Sequence, residues 1–269
     1  GAAPAFENHL LPLPTGGGDF FCSGHTWLPD GLLLVAGGTS QYVAGNAPYM
    51  GGKLVYRFDP HGSGNSAWTR LSDLNLDRWY PTLTLLDDDR VIIAGGTANN
   101  AVAPNNNFEV LDSATGLFAT YPAAIIPGPP YGSLGSYARN FLLSTGRLFR
   151  SGSSQWTARL DLSTNAWTPL PQSSSYRTYG TAFLDPLVPD RAVILGGHAN
   201  NQTALSSMQY CDGSAAAGVC SWISGQPMAF ARGRLNAVLL PDASVFVVGG
   251  RSNAANAPVP AYVNTPEIL

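Results

Sequence analysis

The sequence predicts an all-β protein built from repeats of one small antiparallel sheet. The 269 residues include 30 Gly and 21 Pro without a low-complexity tract, which favours many tight turns over long helices. Five apolar segments each end in a glycine pair or a small-residue pair. These pairs recur at intervals of about 50 residues, a period typical of repeat architectures.

The five apolar segments are predicted strands, at residues 32–38, 91–96, 147–152, 192–197 and 245–250. Short turns that predict hairpins precede four of them, at 29–31, 87–89, 144–146 and 241–243. An aspartate and then an aromatic residue follow the glycine pair, as in Asp59 with Trp68, Asp112 with Phe118, Asp161 with Trp167, and Asp212 with Trp222. This order is the kelch pattern, which predicts a β-propeller of four-stranded blades, about five of them in residues 1–269.

The tryptophans and the glycine pairs of these repeats have structural interpretations. A large aromatic side chain fills the gap between neighbouring blades. A glycine pair lets the backbone pack closely where a side chain would clash. No lysine-serine pair follows the glycines, so they do not form a phosphate loop.

Charge and hydropathy argue against two classes of partner. The net charge of -3 gives the chain no means of recruiting nucleic acid or an anionic membrane. No apolar run approaches the roughly 20 residues that span a bilayer. The charge therefore favours a small molecule as the partner. The first residues lack the charged and apolar regions of a signal peptide, so we expect a mature or processed chain.

The three cysteines divide into a pair and a single residue. Cys211 and Cys220 flank a loop of small residues that can bring them together, which predicts a disulfide and an extracellular or periplasmic location. Cys22 is then left over. A buried free thiol is one interpretation, and a reactive thiol is the other.

The four histidines are weak candidates for metal ligands. His9, near the start of the chain, and His61, in a turn, are expected to be solvated. His198 follows a glycine pair in a loop and is a minor candidate. His25 lies three residues after Cys22, and this odd spacing places it on the opposite face of a strand.

Cys22 and Tyr80 open two copies of the same repeat. Cys22 stands in Phe-Cys-Ser-Gly at 21–24, and Tyr80 stands in Arg-Trp-Tyr-Pro at 78–81. Both segments run into a double glycine, so the thiol and the phenol occupy corresponding ends of two repeats. A thiol beside a phenol can be oxidised to a thioether, which indicates redox chemistry.

These two segments resemble the copper-radical oxidases, the galactose oxidase and glyoxal oxidase family. In that family a cysteine in a Phe-Cys-x-Gly strand is thioether-linked to a tyrosine in an Arg-x-Tyr strand of the next blade. The resemblance implies that Cys22 and Tyr80 form the radical cofactor and that Tyr80 is a copper ligand. It further implies oxidation of a primary alcohol, aldehyde or carbohydrate by O2, with H2O2 as the second product.

Other ligands of the family are not found in this sequence. They are a tyrosine-histidine pair in a late blade and a histidine from a C-terminal immunoglobulin-like domain. Either the last repeat has lost these ligands, or it precedes the blade that bears them. The second explanation is favoured, because residues 262–269 look like the start of a further blade and the family propeller has seven. We therefore expect further blades and that later domain beyond Leu269, with copper binding conditional on them.

Two questions about this region stay open at the level of sequence. The alternative to an oxidase is a non-catalytic kelch propeller that binds a protein or glycan partner. Arg78 is expected to form a structural ion pair, although a role near the site is possible. Trp79 adjoins Tyr80, and alternation along a strand would point it away from Tyr80, to pack between blades.

Overall fold

A computed structural model of the chain describes residues 12–13, 18–44, 47–99, 105–120, 135–164, 166–214 and 220–269. Apart from one short 3-10 helix at Gly64–Ala67, all the regular elements formed by these residues are β-strands. The predicted all-β class is therefore confirmed. His9 lies outside the described residues.

The chain divides into two compact units, of which the first comprises residues 1–126 with 133–138. It contains two antiparallel sheets, here called blades 1 and 2. Blade 1 consists of β1 (Asp19–Trp27), β2 (Leu33–Gln41), β3 (Met50–Gly51), β4 (Val55–Phe58) and β5 (Trp68–Arg70). Blade 2 consists of β6 (Thr82–Leu85), β7 (Val91–Ala94), β8 (Phe108–Leu111) and β9 (Phe118–Thr120).

The second unit comprises residues 127–132 with 139–269 and contains blades 3, 4 and 5. Blade 3 consists of β10 (Arg139–Leu142), β11 (Leu148–Ser151), β12 (Thr157–Asp161) and β13 (Ala166–Leu170). Blade 4 consists of β14 (Thr181–Leu184) and β15 (Arg191–Leu195), then a hairpin of β16 (His198–Ala199) and β17 (Thr203–Ala204), then β18 (Met208–Asp212) and β19 (Ile223–Ser224). Blade 5 consists of β20 (Asn236–Leu239), β21 (Val245–Val248) and β22 (Glu267–Ile268). The expectation that residues 262–269 start a further blade was therefore wrong, because Glu267–Ile268 pairs with β21 as a strand of blade 5.

The predicted repeat matches the strand order of the blades. Each of the five predicted apolar segments is the second strand of its blade, namely β2, β7, β11, β15 and β21. The four predicted turns join first and second strands. In blades 1 to 4 the aspartate ends or follows β4, β8, β12 or β18, and the aromatic residue stands in or just before the next strand, β5, β9, β13 or β19. The prediction of about five blades is confirmed.

The glycine pairs lie where backbone from the following blade approaches closely. A Cβ added to Gly37 of blade 1 would stand 2.5 Å from the carbonyl oxygen of Arg78. A Cβ added to Gly196 of blade 4 would stand 2.7 Å from the carbonyl oxygen of Arg232. Both glycines also have positive φ, at 75° and 59°. The packing interpretation of the pairs therefore holds at these positions.

The large aromatic residues of the repeats do not all pack in the same way. Trp222 of blade 4 packs against Phe149 of blade 3, and its indole N–H donates to the Pro171 carbonyl at 3.1 Å, so it bridges two blades as predicted. Trp68 instead packs on rings of its own blade, with Phe58 at 4.7 Å between centroids. The shared position in the repeat therefore does not fix a shared partner.

Cys211 and Cys220 form a disulfide, as the sequence predicted, with their Cα atoms 5.4 Å apart. Both are buried, in an apolar cluster of blades 3 and 4 that includes Leu143 and Phe149. The described residues contain no helix long and apolar enough to cross a membrane.

Candidate functional site

One backbone position is strained in every blade. Five residues other than glycine have left-handed backbone at or just before the first strand of a blade: Cys22, Tyr80, Tyr137, Tyr179 and Arg234, with φ of 66°, 63°, 48°, 57° and 58°. We call this the left-handed position of a blade. Such values are uncommon for bulky side chains and concentrate at functional sites. Cys22 and Tyr80 therefore occupy equivalent positions, as the sequence predicted.

Backbone hydrogen bonds join the left-handed positions of the first unit. The amide of Tyr80 donates to the carbonyl of Cys22 at 2.8 Å, and the amide of Tyr137 donates to the carbonyl of Tyr80, also at 2.8 Å. Cys22 lies in an irregular stretch of β1, where three residues oppose one residue of β2. Bulges of this kind re-aim side chains next to active sites. Three side chains are thereby brought together.

The Cys22 thiol is buried beside the side chains of blade 2. It is 9% exposed, and burial raises its pKa, since a thiolate loses hydration there. Hydrogen bonding with the side chains of Tyr80 and Thr39 opposes this rise. The thiol thus lies beside the Tyr80 side chain.

Two small or rigid residues allow this approach. A Cβ added to Gly24 would stand 2.6 Å from the carbonyl oxygen of Pro81, so the Gly of Phe-Cys-x-Gly lets β1 lie against blade 2. Pro81 follows Tyr80 directly and also lies close to the position that a Gly37 side chain would take. These contacts give a steric reason for the glycines and the proline that surround the two candidate residues.

The Tyr80 ring lies between two other rings. Trp79 is stacked on it with centroids 4.2 Å apart, and Tyr137 lies on it with centroids 4.7 Å apart. The prediction that Trp79 points away from Tyr80 was therefore wrong. The cause is the left-handed backbone of Tyr80, which breaks the alternation of a regular strand.

The aromatic contacts continue from Trp79 to the surface. Tyr49 stacks on Trp79 with centroids 5.2 Å apart and planes 12° apart. Tyr42 contacts Tyr49 edge-on at 6.0 Å, and its hydroxyl donates to Asp19 Oδ2 at 2.7 Å. That hydrogen bond is the main cause that raises the pKa of Tyr42 to about 12.

Arg78 is a structural residue, as expected. Its side chain and that of Glu109 are both fully buried, with Nε 2.9 Å from Oε1. The same guanidinium donates to the carbonyls of Gly95 and Asn107. Burial lowers the Arg78 pKa, and Glu109 opposes this. The ion pair therefore anchors the backbone two residues before Tyr80.

Blades 4 and 5 of the second unit repeat this anchor. Arg177 and Arg232 are fully buried, and they stand two residues before Tyr179 and Arg234 respectively. Arg177 Nη2 donates to Oε1 of the neutral Gln209, whereas Arg232 Nη2 forms an ion pair with Glu267, 2.5 Å from its Oε1. Each also donates to the carbonyl of the first glycine of its own blade's pair. A buried arginine followed by x and the left-handed residue is therefore a recurring signal.

The left-handed positions of blades 4 and 5 are in contact. The amide of Arg234 donates to the carbonyl of Tyr179 at 2.7 Å. The Arg234 guanidinium lies over the Tyr179 ring, 3.9 Å from its centroid. Sequence reasoning missed Tyr137, Tyr179 and Arg234. An Arg-x-Tyr or Arg-x-Arg segment before a strand would have located the last two.

The described histidines do not assemble a metal site. His25 and His61 are exposed. His198 is fully buried, with Nε2 2.9 Å from the Asn253 carbonyl, and its ring lies against Gly233, where a Cβ would be 2.1 Å away. It is therefore a packed structural residue.

The described residues do not assemble a copper site among themselves. Among them there is no group of three or more His, Cys, Asp and Glu that could hold a metal. Tyr80 and Tyr137 offer phenol oxygens, whereas copper in proteins is commonly bound by imidazole as well. Copper would therefore need ligands in addition to these phenols.

Comparisons with known proteins support the resemblance. No family model matches the chain. It is 40% identical over 87 residues to a protein named aldehyde oxidase GLOX from Vitis pseudoreticulata, a match that covers 31% of this chain and 15% of that protein. A solved fungal alcohol oxidase of the AA5 family, in complex with copper, superposes with a TM-score of 0.75 over 93% of this chain at 20% identity.

The solved oxidase shares the fold of nearly the whole chain, and the five blades are propeller blades. The chain spans about half of that structure, 51%, and a smaller share of the curated relative. The resemblance indicated by Cys22 and Tyr80 is thus confirmed: the chain is similar to the glyoxal oxidases and copper alcohol oxidases, in sequence over about a third of its length and in fold over nearly all of it.

Proposed function

We propose that this chain is part of a secreted copper-radical oxidase in which Cys22 and Tyr80 become a thioether-linked tyrosyl radical. The enzyme would oxidise a primary alcohol or an aldehyde, including a carbohydrate alcohol, and would reduce O2 to H2O2. The named activities of the two similar proteins, aldehyde and alcohol oxidation, support this substrate class. The Cys211–Cys220 disulfide supports an oxidising compartment.

One observation carries the proposal. Cys22 and Tyr80 occupy the left-handed positions of successive blades, and the thiol is adjacent to the phenol. The other two cysteines are paired with each other, so Cys22 is the only thiol of the chain.

The link forms by a two-electron oxidation. The S–H bond of Cys22 and one ring C–H bond of Tyr80 break, and a C–S bond forms between them. Two electrons and two protons leave, and O2 accepts them as H2O2. Copper would promote this oxidation when bound and would then store the second electron of each catalytic cycle.

The surrounding residues favour a radical on Tyr80. A sulfur substituent donates electron density to the ring, so the ring loses an electron more easily. Trp79 and Tyr137 cover parts of the Tyr80 ring and limit its access to water. The Arg78–Glu109 ion pair holds the backbone two residues before Tyr80. It thereby helps to keep the Tyr80 backbone in its left-handed conformation.

Tyr80 would be the copper ligand contributed by these residues. Tyr137 is close enough to Tyr80 to offer a second phenol oxygen, and its pKa is raised to about 12, mainly by burial. The remaining ligands, with nitrogen donors, would come from outside the described residues. Residues 1–269 as a whole would form kelch-type blades of one propeller.

Mass spectrometry of peptides tests the link directly. The complete protein, with the segments that supply the remaining ligands, is exposed to copper and O2 and is then denatured, reduced and alkylated before digestion. The Cys22 and Tyr80 peptides are expected to run as one species, lighter than their sum by two hydrogens and resistant to reductant. Cys211 and Cys220 are expected to become alkylated under the same conditions, which provides an internal control.

Two variants complete the test. Cys22→Ser removes the sulfur and Tyr80→Phe removes the hydroxyl, and both are expected to abolish the linked peptide. Recovery of separate, unmodified peptides from the copper-treated wild-type protein would overturn the oxidase proposal. In that case a non-catalytic propeller that binds a protein or glycan becomes the better interpretation.

A further inference from the structure

An unbroken row of aromatic side chains runs from Tyr80 to the protein surface within the first unit. Its members in order are Tyr80, Trp79, Tyr49 and Tyr42, with successive centroid distances of 4.2, 5.2 and 6.0 Å. Tyr80, Trp79 and Tyr49 are half-buried, and Tyr42 is 46% exposed. We call these residues the aromatic row.

The composition of the aromatic row suits electron transfer. Tryptophan and tyrosine are the side chains that lose one electron most readily, apart from cysteine. Contact between the rings lets the resulting electron hole move from one side chain to the next in short steps. The stacked pairs Tyr80–Trp79 and Trp79–Tyr49 have their planes 29° and 12° apart, so their π-systems face each other. A row selected for packing alone has no need of oxidisable rings at every step.

The surface end of the row has a proton acceptor. The Tyr42 hydroxyl donates to Asp19 Oδ2 at 2.7 Å. An oxidised phenol is a strong acid, so a tyrosine can be oxidised reversibly only where its proton has somewhere to go and can return. The carboxylate of Asp19 provides that place.

We propose that Tyr42, Tyr49 and Trp79 carry single electrons from Tyr80 to the surface, so that an outer-sphere oxidant too large to reach Tyr80 can still oxidise it. The proposal rests on the redox role of Tyr80 given above. It explains the exposed Tyr42–Asp19 pair, which the oxidation of a small substrate does not require.

The electrons and protons of the step balance. The oxidant takes one electron from Tyr42 and is itself reduced by one electron, while the Tyr42 proton moves to Asp19. Tyr49, which is half-buried, then supplies an electron to Tyr42, which recovers its proton, while the Tyr49 proton moves to water and returns when Tyr49 is reduced in its turn. Trp79 supplies Tyr49, and Tyr80 supplies Trp79, so that Tyr80 has finally lost one electron to the oxidant and one proton to water.

Photo-oxidation with a spin trap tests the row on the metal-free full chain. Light and persulfate convert a ruthenium tris-bipyridine complex to its one-electron oxidant, and a nitroso trap labels the radicals that form. Peptide mass spectrometry then quantifies the label on Tyr80 and on Tyr42. In the wild-type chain the label is expected mainly on the Tyr80 peptide.

Two variants interrupt the row while keeping a ring in place. In Trp79→Phe and in Tyr49→Phe, the label on Tyr80 is expected to fall several-fold and the label on Tyr42 to rise. Tyr49→Phe lies farther from Tyr80 and removes only a hydroxyl, so it serves if Trp79→Phe fails to fold. Tyr179→Phe changes a tyrosine of the second unit and is expected to leave the distribution unchanged.

The outcomes separate this proposal from the proposed function. An unchanged ratio of Tyr80 to Tyr42 label in both variants would overturn electron transfer through the row. The Cys22–Tyr80 link is measured separately, on the complete protein treated with copper and O2. Absence of the link overturns the oxidase proposal alone, because oxidation of an unlinked Tyr80 through Trp79 is still measured by its own label.

Discussion

Blades 2 and 5 hold different side chains on the same support. In blade 2 the buried Arg78 meets Glu109, and Tyr80 occupies the left-handed position. In blade 5 the buried Arg232 meets Glu267, and Arg234 occupies that position. The support is thus a property of the repeat, whereas the chemistry depends on a single side chain.

Blade 4 sharpens this comparison because its anchor lacks the negative charge. Arg177 donates to the neutral Gln209 at 3.3 Å and to the Ser207 carbonyl at 2.8 Å. The same backbone is therefore held with a buried ion pair in one blade and with hydrogen bonds to neutral groups in another. The difference predicts unequal costs when each arginine is removed.

The largest expected effect is the loss of Arg78. Arg78→Met leaves the Glu109 carboxylate buried without its cation, which costs about 3–5 kcal/mol of unfolding free energy. Arg177→Met leaves only neutral groups without donors, so a smaller loss of about 1–3 kcal/mol is expected. Urea unfolding of both variants measures the difference, and equal losses would show that the charge of Glu109 is unimportant.

The next effect concerns close backbone contacts in the two units. In Gly24→Ala the new Cβ meets the Pro81 carbonyl oxygen, and in Gly233→Ala it meets the His198 ring. Overpacking of this kind costs about 1–3 kcal/mol. His198→Ala is expected to recover part of the loss in Gly233→Ala. It would leave the loss in Gly24→Ala unchanged, since that contact is with backbone. Additive free energies in the Gly233→Ala, His198→Ala double variant would contradict the steric explanation.

A pH titration compares the two tyrosines whose pKa values are raised to about 12. Hydrogen bonding to Asp19 is the main cause for Tyr42, and burial is the main cause for Tyr137. Both exceed the ordinary tyrosine value of about 10, so folding is disfavoured progressively as the pH rises from about 10 to 12 and is unaffected by these groups below that range. Asp19→Asn is expected to lower the pKa of Tyr42 and leave that of Tyr137 in place.

Tyrosinate absorbance measured below the alkaline unfolding transition tests this expectation. At a pH between the ordinary tyrosine pKa of about 10 and the raised value of about 12, Asp19→Asn should add the absorbance of one tyrosinate. The Asp19→Asn, Tyr42→Phe double variant should not. An unchanged titration curve in the single variant would show that Asp19 does not control Tyr42.

The smallest effect is expected at Arg234. Its guanidinium lies over the Tyr179 ring at a solvent-exposed position, where a cation–π contact is worth about 0.5–1 kcal/mol. Arg234→Gln should reduce the free energy of unfolding by that amount. In Tyr179→Leu the same Arg234→Gln change should cost almost nothing, and an undiminished cost there would exclude the ring as the partner.

Much of the fold could be predicted because it depends on local signals. Apolar strands, turns and glycine pairs recur in each repeat, and they identified the second strand of all five blades. The Cys211–Cys220 pairing followed from a short loop of small residues. These features require no knowledge of how blades contact one another.

The site was predicted less completely because it depends on a backbone conformation. Cys22 and Tyr80 could be aligned from the strands that follow them, but Tyr137 has no arginine two residues before it, and nothing else marked it. The orientation of Trp79 was wrong, since a strand pattern cannot reveal the left-handed φ of Tyr80. The histidines carried little information, as the buried His198 proved to be a packing residue.

The hydrogen bonds between left-handed positions have a consequence for how such a protein can diversify. Tyr80 donates its amide to the Cys22 carbonyl through backbone alone, as does Tyr137 to the Tyr80 carbonyl and Arg234 to the Tyr179 carbonyl. The linkage is therefore indifferent to side-chain identity. The side chain at the left-handed position of a blade can therefore change without loss of these backbone hydrogen bonds. In this chain the five residues at that position are Cys, Tyr, Tyr, Tyr and Arg.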